Sequence, residues 1–182
     1  MAFEKYTRML VDSGAKRALV IRPGSVVTSH WVRLKCQYGC SGYGRKLTCP
    51  PYSPTPKQTR KLLDGYKRAI LVVYSGQWRG ENQKTSGRER KKRRQMRRVI
   101  AEMERALFLD GYYKAFALGA GPCNFCKECD VAGTCKHPEL ARPAMEACGI
   151  DVFATLRRAG VKIGVVRTYH SPCTFASLIL IE

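Results

Sequence analysis

The chain has 182 residues, the size of one ordinary domain, and its 45% hydrophobic content supports a packed core and excludes wholesale disorder. Lys and Arg number 33 against 14 Asp and Glu, a net charge of +19 that directs attention to acidic partners. The longest apolar run of weight, Ala69 to Tyr74, falls far short of the ~20 residues of a membrane span, and the segment after Met1 lacks the apolar stretch of a secretory leader, so a cytoplasmic protein is expected.

In chain order, strand and helix alternate. Phe3, Tyr6 and Leu10 recur at helical spacing and predict a short first helix ended near Gly14. Arg17–Ile21 reads as a buried strand closed by Pro23-Gly24, and Ser25 to Leu34 is β-rich in composition. Pro50-Pro51 and Pro54-x-Pro56 mark a loop, after which Pro56 suits the first turn of a helix running to about Tyr66. Lys67 to Tyr74 is the clearest strand, and Ser75 to Gly87 reads as an exposed connection. A long helix follows over Arg88–Leu109, with Met96, Val99, Ile100, Met103 and Leu107 on one narrow stripe. Tyr112–Leu118 resumes as a strand, which makes a strand–helix–strand crossover. Pro143–Ala147 and Val152–Arg158 read as short helices around Gly149, and Phe175–Ile181 as a last strand. The predicted fold is α/β, one domain over residues 1–182. It has a mixed sheet of about four or more strands, helices upon it, and two cysteine-rich iron–sulfur loops at one end.

The nine cysteines carry the chemistry. A cytoplasmic disulfide framework is disfavoured by the reducing compartment and by the odd count. Cys123, Cys126, Cys129 and Cys135 form C-x2-C-x2-C-x5-C. Two overlapping C-x-x-C pairs suit zinc poorly, because a tetrahedral zinc site joins two separated knuckles. The nearest standard pattern is the ferredoxin run C-x2-C-x2-C-x3-C-P, which binds a [4Fe–4S] cube. The present spacing departs from it by a longer last gap and by Lys136-His137 before Pro138. In two-cluster ferredoxins the fourth cysteine serves the other cube, an alternative open to Cys135. Cys36, Cys40 and Cys49 form C-x3-C-x8-C-P-P, three ligands that leave one iron needing a partner, and Cys148 is the natural candidate. Buried inert thiols are the plain alternative for this first set. Cys173 stands apart beside Pro172 and is expected to be the spare thiol.

Three stretches resemble one family. They are Val32-Arg-Leu-Lys-Cys36…Gly39-Cys40…Tyr43-Gly44…Thr48-Cys-Pro-Pro51-Tyr52, then Gly121-Pro-Cys123…Cys126…Cys129…Cys135…His137-Pro138, then Arg142-Pro143…Met145-Glu-Ala-Cys-Gly-Ile-Asp151. Together they resemble the predicted metal-binding family filed as domain of unknown function 2284, over most of the chain from about Val32. The resemblance implies an iron–sulfur protein and implies that Cys148 belongs to the site; it supplies no reaction. Cys173 and the Arg-rich stretch lie outside the pattern.

The expected cofactor is therefore a pair of [4Fe–4S] clusters on Cys36, Cys40, Cys49, Cys148, Cys123, Cys126, Cys129 and Cys135, serving electron transfer or a redox accessory role. Two alternatives stand beside it: an iron–sulfur enzyme with an open iron position, and a basic nucleic-acid-binding module with structural clusters. Residues 84–98 hold nine bases and one acid, Glu89. Such a helix suits an acidic redox protein such as a ferredoxin, with Arg90, Lys91, Arg93 and Arg94 as docking charges. It carries no recognised nucleic-acid motif, and a solvated face without a dedicated partner is the plain reading. His30, His137 and His170 show no metal-type spacing, although His137 lies where it can line the second cluster. Glu146 and Asp151 either orient the loop around Cys148 or cap short helices.

Overall fold

The computed structural model describes residues 3–77, 86–168 and 171–182. Residues 78–85 of the expected connection, with Lys84 of the basic run, and His170 lie outside the described residues. The elements are α1 (Glu4–Asp12), β1 (Arg17–Ile21), α2 (His30–Gly39), α3 (Pro56–Asp64), β2 (Ala69–Gln77), α4 (Gly87–Leu109), β3 (Phe116–Leu118), α5 (Val152–Arg158) and β4 (Pro172–Leu180). Two 3-10 turns, Pro23–Ser25 and Glu146–Cys148, complete the set.

The four strands form one sheet in the order β1-β2-β4-β3. The sheet is antiparallel throughout rather than mixed, with pairs such as Leu19 with Leu71, Leu71 with Leu178, and Leu118 with Leu178. β2 and β3 do run in the same direction, as the crossover reading requires, because each is antiparallel to β4. The strand that comes last in the chain order is wedged between them.

Both faces of the sheet are covered, which explains the unbroken apolar run of β2. Ile70, Val72 and Tyr74 face α1 and α4, packing with Tyr6, Leu10, Ile100, Met103 and Leu107. Ala69, Leu71 and Val73 face the other way, toward Leu63 of α3, Leu156 of α5, and Met145, Cys148 and Ile150. Cys148 is thus part of the wall beneath the sheet, at 1% exposure.

Local signals set the helix starts. Thr55 and Gln58 form a capping box before Pro56, with Gln58 N–H donating to Thr55 Oγ1 at 3.3 Å and Thr55 N–H to Gln58 Oε1 at 2.8 Å. Ser86 Oγ accepts from Glu89 N–H at 3.2 Å to open α4. The β-rich reading of Ser25–Leu34 is corrected. Extended backbone runs through Ser29, with Thr28 bridging Ile150 and Ser29 N–H donating to Gly149 O at 2.8 Å. From His30 the chain is helical. β3 is shorter than expected, because Tyr112 packs instead against α1, its ring tilted 5.5 Å from that of Phe3 and edge-on 6.3 Å from that of Tyr6. No helix among the described residues is long and apolar enough to cross a membrane.

Candidate metal centre

The first set of thiols is assembled from four places. Cys36 lies on α2, Cys40 is its C-terminal cap, and Cys49 sits in the turn before the cis Pro50-Pro51 bond. Cys148 ends the 3-10 turn on which α2 packs. Cys36 feels the charge of Cys40, Cys49 feels both, and Cys148 feels Cys49. The remote Cys148 is thus brought near Cys49.

Its position is over-determined. Arg33 Nη1 donates to Ala147 O at 2.7 Å and to Ser53 Oγ at 2.9 Å, while Ser53 Oγ donates to the same Ala147 O at 2.7 Å. Thr59 Oγ1 of α3 donates to Cys148 O at 2.7 Å. Gly149 then turns the chain at φ +74°, where a Cβ would stand 2.4 Å from Pro56 Cγ. Only glycine admits both the left-handed backbone and the close approach of α3. Burial pushes the Cys49 thiol up to about 11 and the Cys148 thiol up to about 12, and it raises Cys36. Burial thus favours neutral thiols, and a bound cation reverses that balance because thiolate is the ligating form.

The second set occupies an irregular loop between Gly119 and Met145. Cys123, Cys126, Cys129 and Cys135 line one small cavity together with Phe125 and His137. The His137 ring is 5.8 Å from that of Phe125. Side chains hold the loop in place of secondary structure. Gly133 N–H donates to Asp130 Oδ1 at 3.0 Å, and Arg94 Nη2 of α4 donates to Asn124 O at 3.0 Å and Phe125 O at 3.3 Å. Arg97 donates from Nη1 to Asn124 Oδ1 at 3.1 Å and from Nη2 to Ala120 O at 2.8 Å. Part of the basic run therefore anchors the cysteine loop, a use the charge pattern alone did not reveal.

Residues 46–48, which lead directly into Cys49, adjoin the second set. Lys46, Leu47 and Thr48 line the second cavity, and Leu47 N–H donates to Cys129 Sγ at 3.5 Å. Backbone amides aimed at sulfur stabilise negative charge there, the usual means of tuning a thiolate-bound centre. Arg97 bridges the sets electrostatically, feeling both Cys123 and Cys49; burial pushes its guanidinium down to about 10, so it stays charged at neutral pH. Among the described residues, no group of three or more His, Cys, Asp or Glu side chains is drawn close enough to hold a single metal ion. The donor set is nonetheless all sulfur, the choice of soft metals and iron–sulfur clusters.

Cys173 lies on β4 opposite Gly76, and its charged neighbour is Arg93 rather than another thiol. Asp151 caps α5, its Oδ1 accepting from Ala154 N–H at 2.9 Å. His30 begins α2 on the surface. Glu146 is the residue that sequence reasoning undervalued. Burial raises its carboxyl, it feels Arg97, and its charge is felt by Cys36 and Cys148. Its place two residues before Cys148 was the one available signal.

Comparison with curated proteins and with solved structures gives no match. A family model does match, over residues 19–181, and its span takes in all nine cysteines. The chain belongs to the family of predicted metal-binding proteins DUF2284.

Proposed function

We propose that this protein is an iron–sulfur protein carrying two [4Fe–4S] clusters, one on Cys36, Cys40, Cys49 and Cys148 and one on Cys123, Cys126, Cys129 and Cys135. The reading is supported by one observation: Cys123, Cys126, Cys129 and Cys135 line one cavity, where Leu47 N–H, two residues before Cys49, donates to Cys129 Sγ. When bound, such clusters supply one-electron redox chemistry. The chain's own residues fix the loops through Arg33, Arg94 and Arg97, direct the Leu47 amide at sulfur, and keep Cys49 and Cys148 from water. The role is electron transfer or redox accessory work, in a cytoplasmic setting that keeps these thiols reduced. The partner is an acidic redox protein such as a ferredoxin, attracted by the exposed bases of α4.

Anaerobic purification followed by iron and acid-labile sulfide analysis tests this reading. About eight irons per chain are expected. Stoichiometric zinc without sulfide overturns it. Cys126→Ser and Cys148→Ala should each remove about half of the iron, whereas Cys173→Ala should remove none.

A further inference from the structure

A second concavity, of ≈ 450 Å³, opens between α4 and the sheet. That volume lies within the range of small-molecule sites. Ser75, Lys92 and Pro122 are exposed and mark its mouth, while Ser177 on β4, 2% exposed, marks its floor. Met96 and Phe175 supply apolar surface between them. The Arg93 guanidinium lies 5.6 Å above the Phe175 ring, so the mouth has a cation fixed against an aromatic face. Glu89 also lines the cavity, but Lys92 and Arg93 outweigh its charge.

The inner wall carries a polar group that no described residue engages. Glu146 Oε2 is buried and has no hydrogen-bond partner among the described residues. A buried acceptor without a donor is costly, and a native structure keeps one chiefly where something else satisfies it. Arg97 lines the same wall, yet its donors go to Arg93 O, Ala120 O and Asn124 Oδ1, so it makes no hydrogen bond to Glu146. The lining thus asks for three features in one ligand: an N–H or O–H at the inner end, a flat apolar body, and a negative charge at the mouth.

We propose that this cavity binds a small aromatic anion, with a hydrogen-bond donor directed at Glu146, its ring against Met96 and Phe175, and its acidic group beside Lys92 and Arg93. Pro122 precedes Cys123 and Glu146 is two residues from Cys148, so the cavity shares wall residues with the segments that carry cysteines of both sets. The inference stands on the cavity and is independent of which metal the thiols hold.

Anaerobic titration calorimetry on the metal-containing protein, as purified, tests it with three probes. Indole-3-acetate has all three features, 1-naphthylacetate lacks the donor, and 3-methylindole lacks the charge. One-to-one binding of indole-3-acetate is expected, with 1-naphthylacetate about tenfold weaker, the upper range for losing one hydrogen bond, and 3-methylindole about fivefold weaker, the upper range for losing an exposed charge. Met96→Trp, which fills the slot from α4, should abolish binding while leaving metal content unchanged. Lys92→Glu, at the exposed mouth and harmless to folding, should weaken indole-3-acetate about fivefold, the upper range for an exposed charge, and leave 3-methylindole unaffected. Absence of binding by both acetates at millimolar concentration overturns the proposal. So does equal affinity for the three probes, or unchanged affinity in Lys92→Glu.

Discussion

Replacing Arg142 with Met severs the side-chain link between α4, the edge strand β3 and the segment that leads from one cysteine set to the other. Arg142 donates from Nε to Glu104 Oε2 at 2.7 Å and from Nη2 to Glu104 Oε1 at 2.6 Å. Its Nη1 also holds Pro138 O at 3.0 Å and Ala141 O at 2.9 Å. Glu104 Oε2 in addition accepts from Ala117 N–H of β3 at 2.6 Å. The two side chains are 17% and 13% exposed, which places the pair near the buried limit. Breaking a buried pair from one side costs about 3–5 kcal/mol, against about 0–1 kcal/mol for an exposed one. Arg142→Met should therefore cost about 2–3 kcal/mol. Glu104→Gln keeps an acceptor for Ala117 and should cost about 1–2 kcal/mol on the same scale. The double variant should fall short of the sum by about 1–2 kcal/mol, because each single change leaves the other group uncompensated. Urea unfolding followed by circular dichroism under anaerobic, reducing conditions measures all three. Single effects below about 0.5 kcal/mol, or strict additivity, refute the assigned link.

Three further outcomes are expected. Gly149→Ala should destabilise the fold by about 1–2 kcal/mol for the left-handed backbone alone, and more because of Pro56; an unchanged unfolding midpoint would contradict the close approach of α3. Hydrogen bonds from Lys5 and Tyr6 hold the Asp110 carboxyl below its usual range, with contacts of 2.7 Å and 2.5 Å. Its stabilisation is present above the unfolded value of about 4 and is lost as pH falls through the lower folded value. Asp110→Asn should accordingly lower Tm at pH 7, with the gap to wild type closing in acid; a gap of the same size at pH 7 and pH 2.5 refutes this. Lys91→Glu with Arg98→Glu, both exposed on α4, should slow reduction by an acidic ferredoxin at 0.1 M salt. The difference should vanish at 1 M, where the Debye length is about 3 Å, and equal rates at both salts would remove the docking role.

Much of this architecture is legible locally. β2 announces itself because both of its faces are covered, and α4 because its stripe of Ile100, Met103 and Leu107 meets the sheet. α2 does not, since Val32 is its buried residue while Trp31, Leu34 and Tyr38 face solvent. With its apolar residues turned outward, the helix shows no usable period. The antiparallel order escaped because the insertion of β4 between β2 and β3 is a pairing across most of the chain, which no window of sequence contains. Among the thiols, spacing alone grouped Cys123 to Cys135, which line one cavity, whereas the nearness of Cys148 to Cys49 is a pairing across about a hundred residues that spacing does not show. The cavity beside them had no signature, because its walls come from β2, α4, the loop after β3 and β4 at once.

The central place of β4 also sets an order of events during synthesis. Eight thiols leave the ribosome before Pro172, and until β4 arrives β2 and β3 have no strand to join them. The wall against which Met145 and Cys148 pack is incomplete for the same interval, because Ala176, Leu178 and Leu180 belong to it. Closing a sheet through such distant pairing is slow. The nascent chain therefore passes through a stage with eight cysteine sulfurs displayed and its core unsealed, and whatever meets the chain during that stage meets a surface that the finished protein no longer shows.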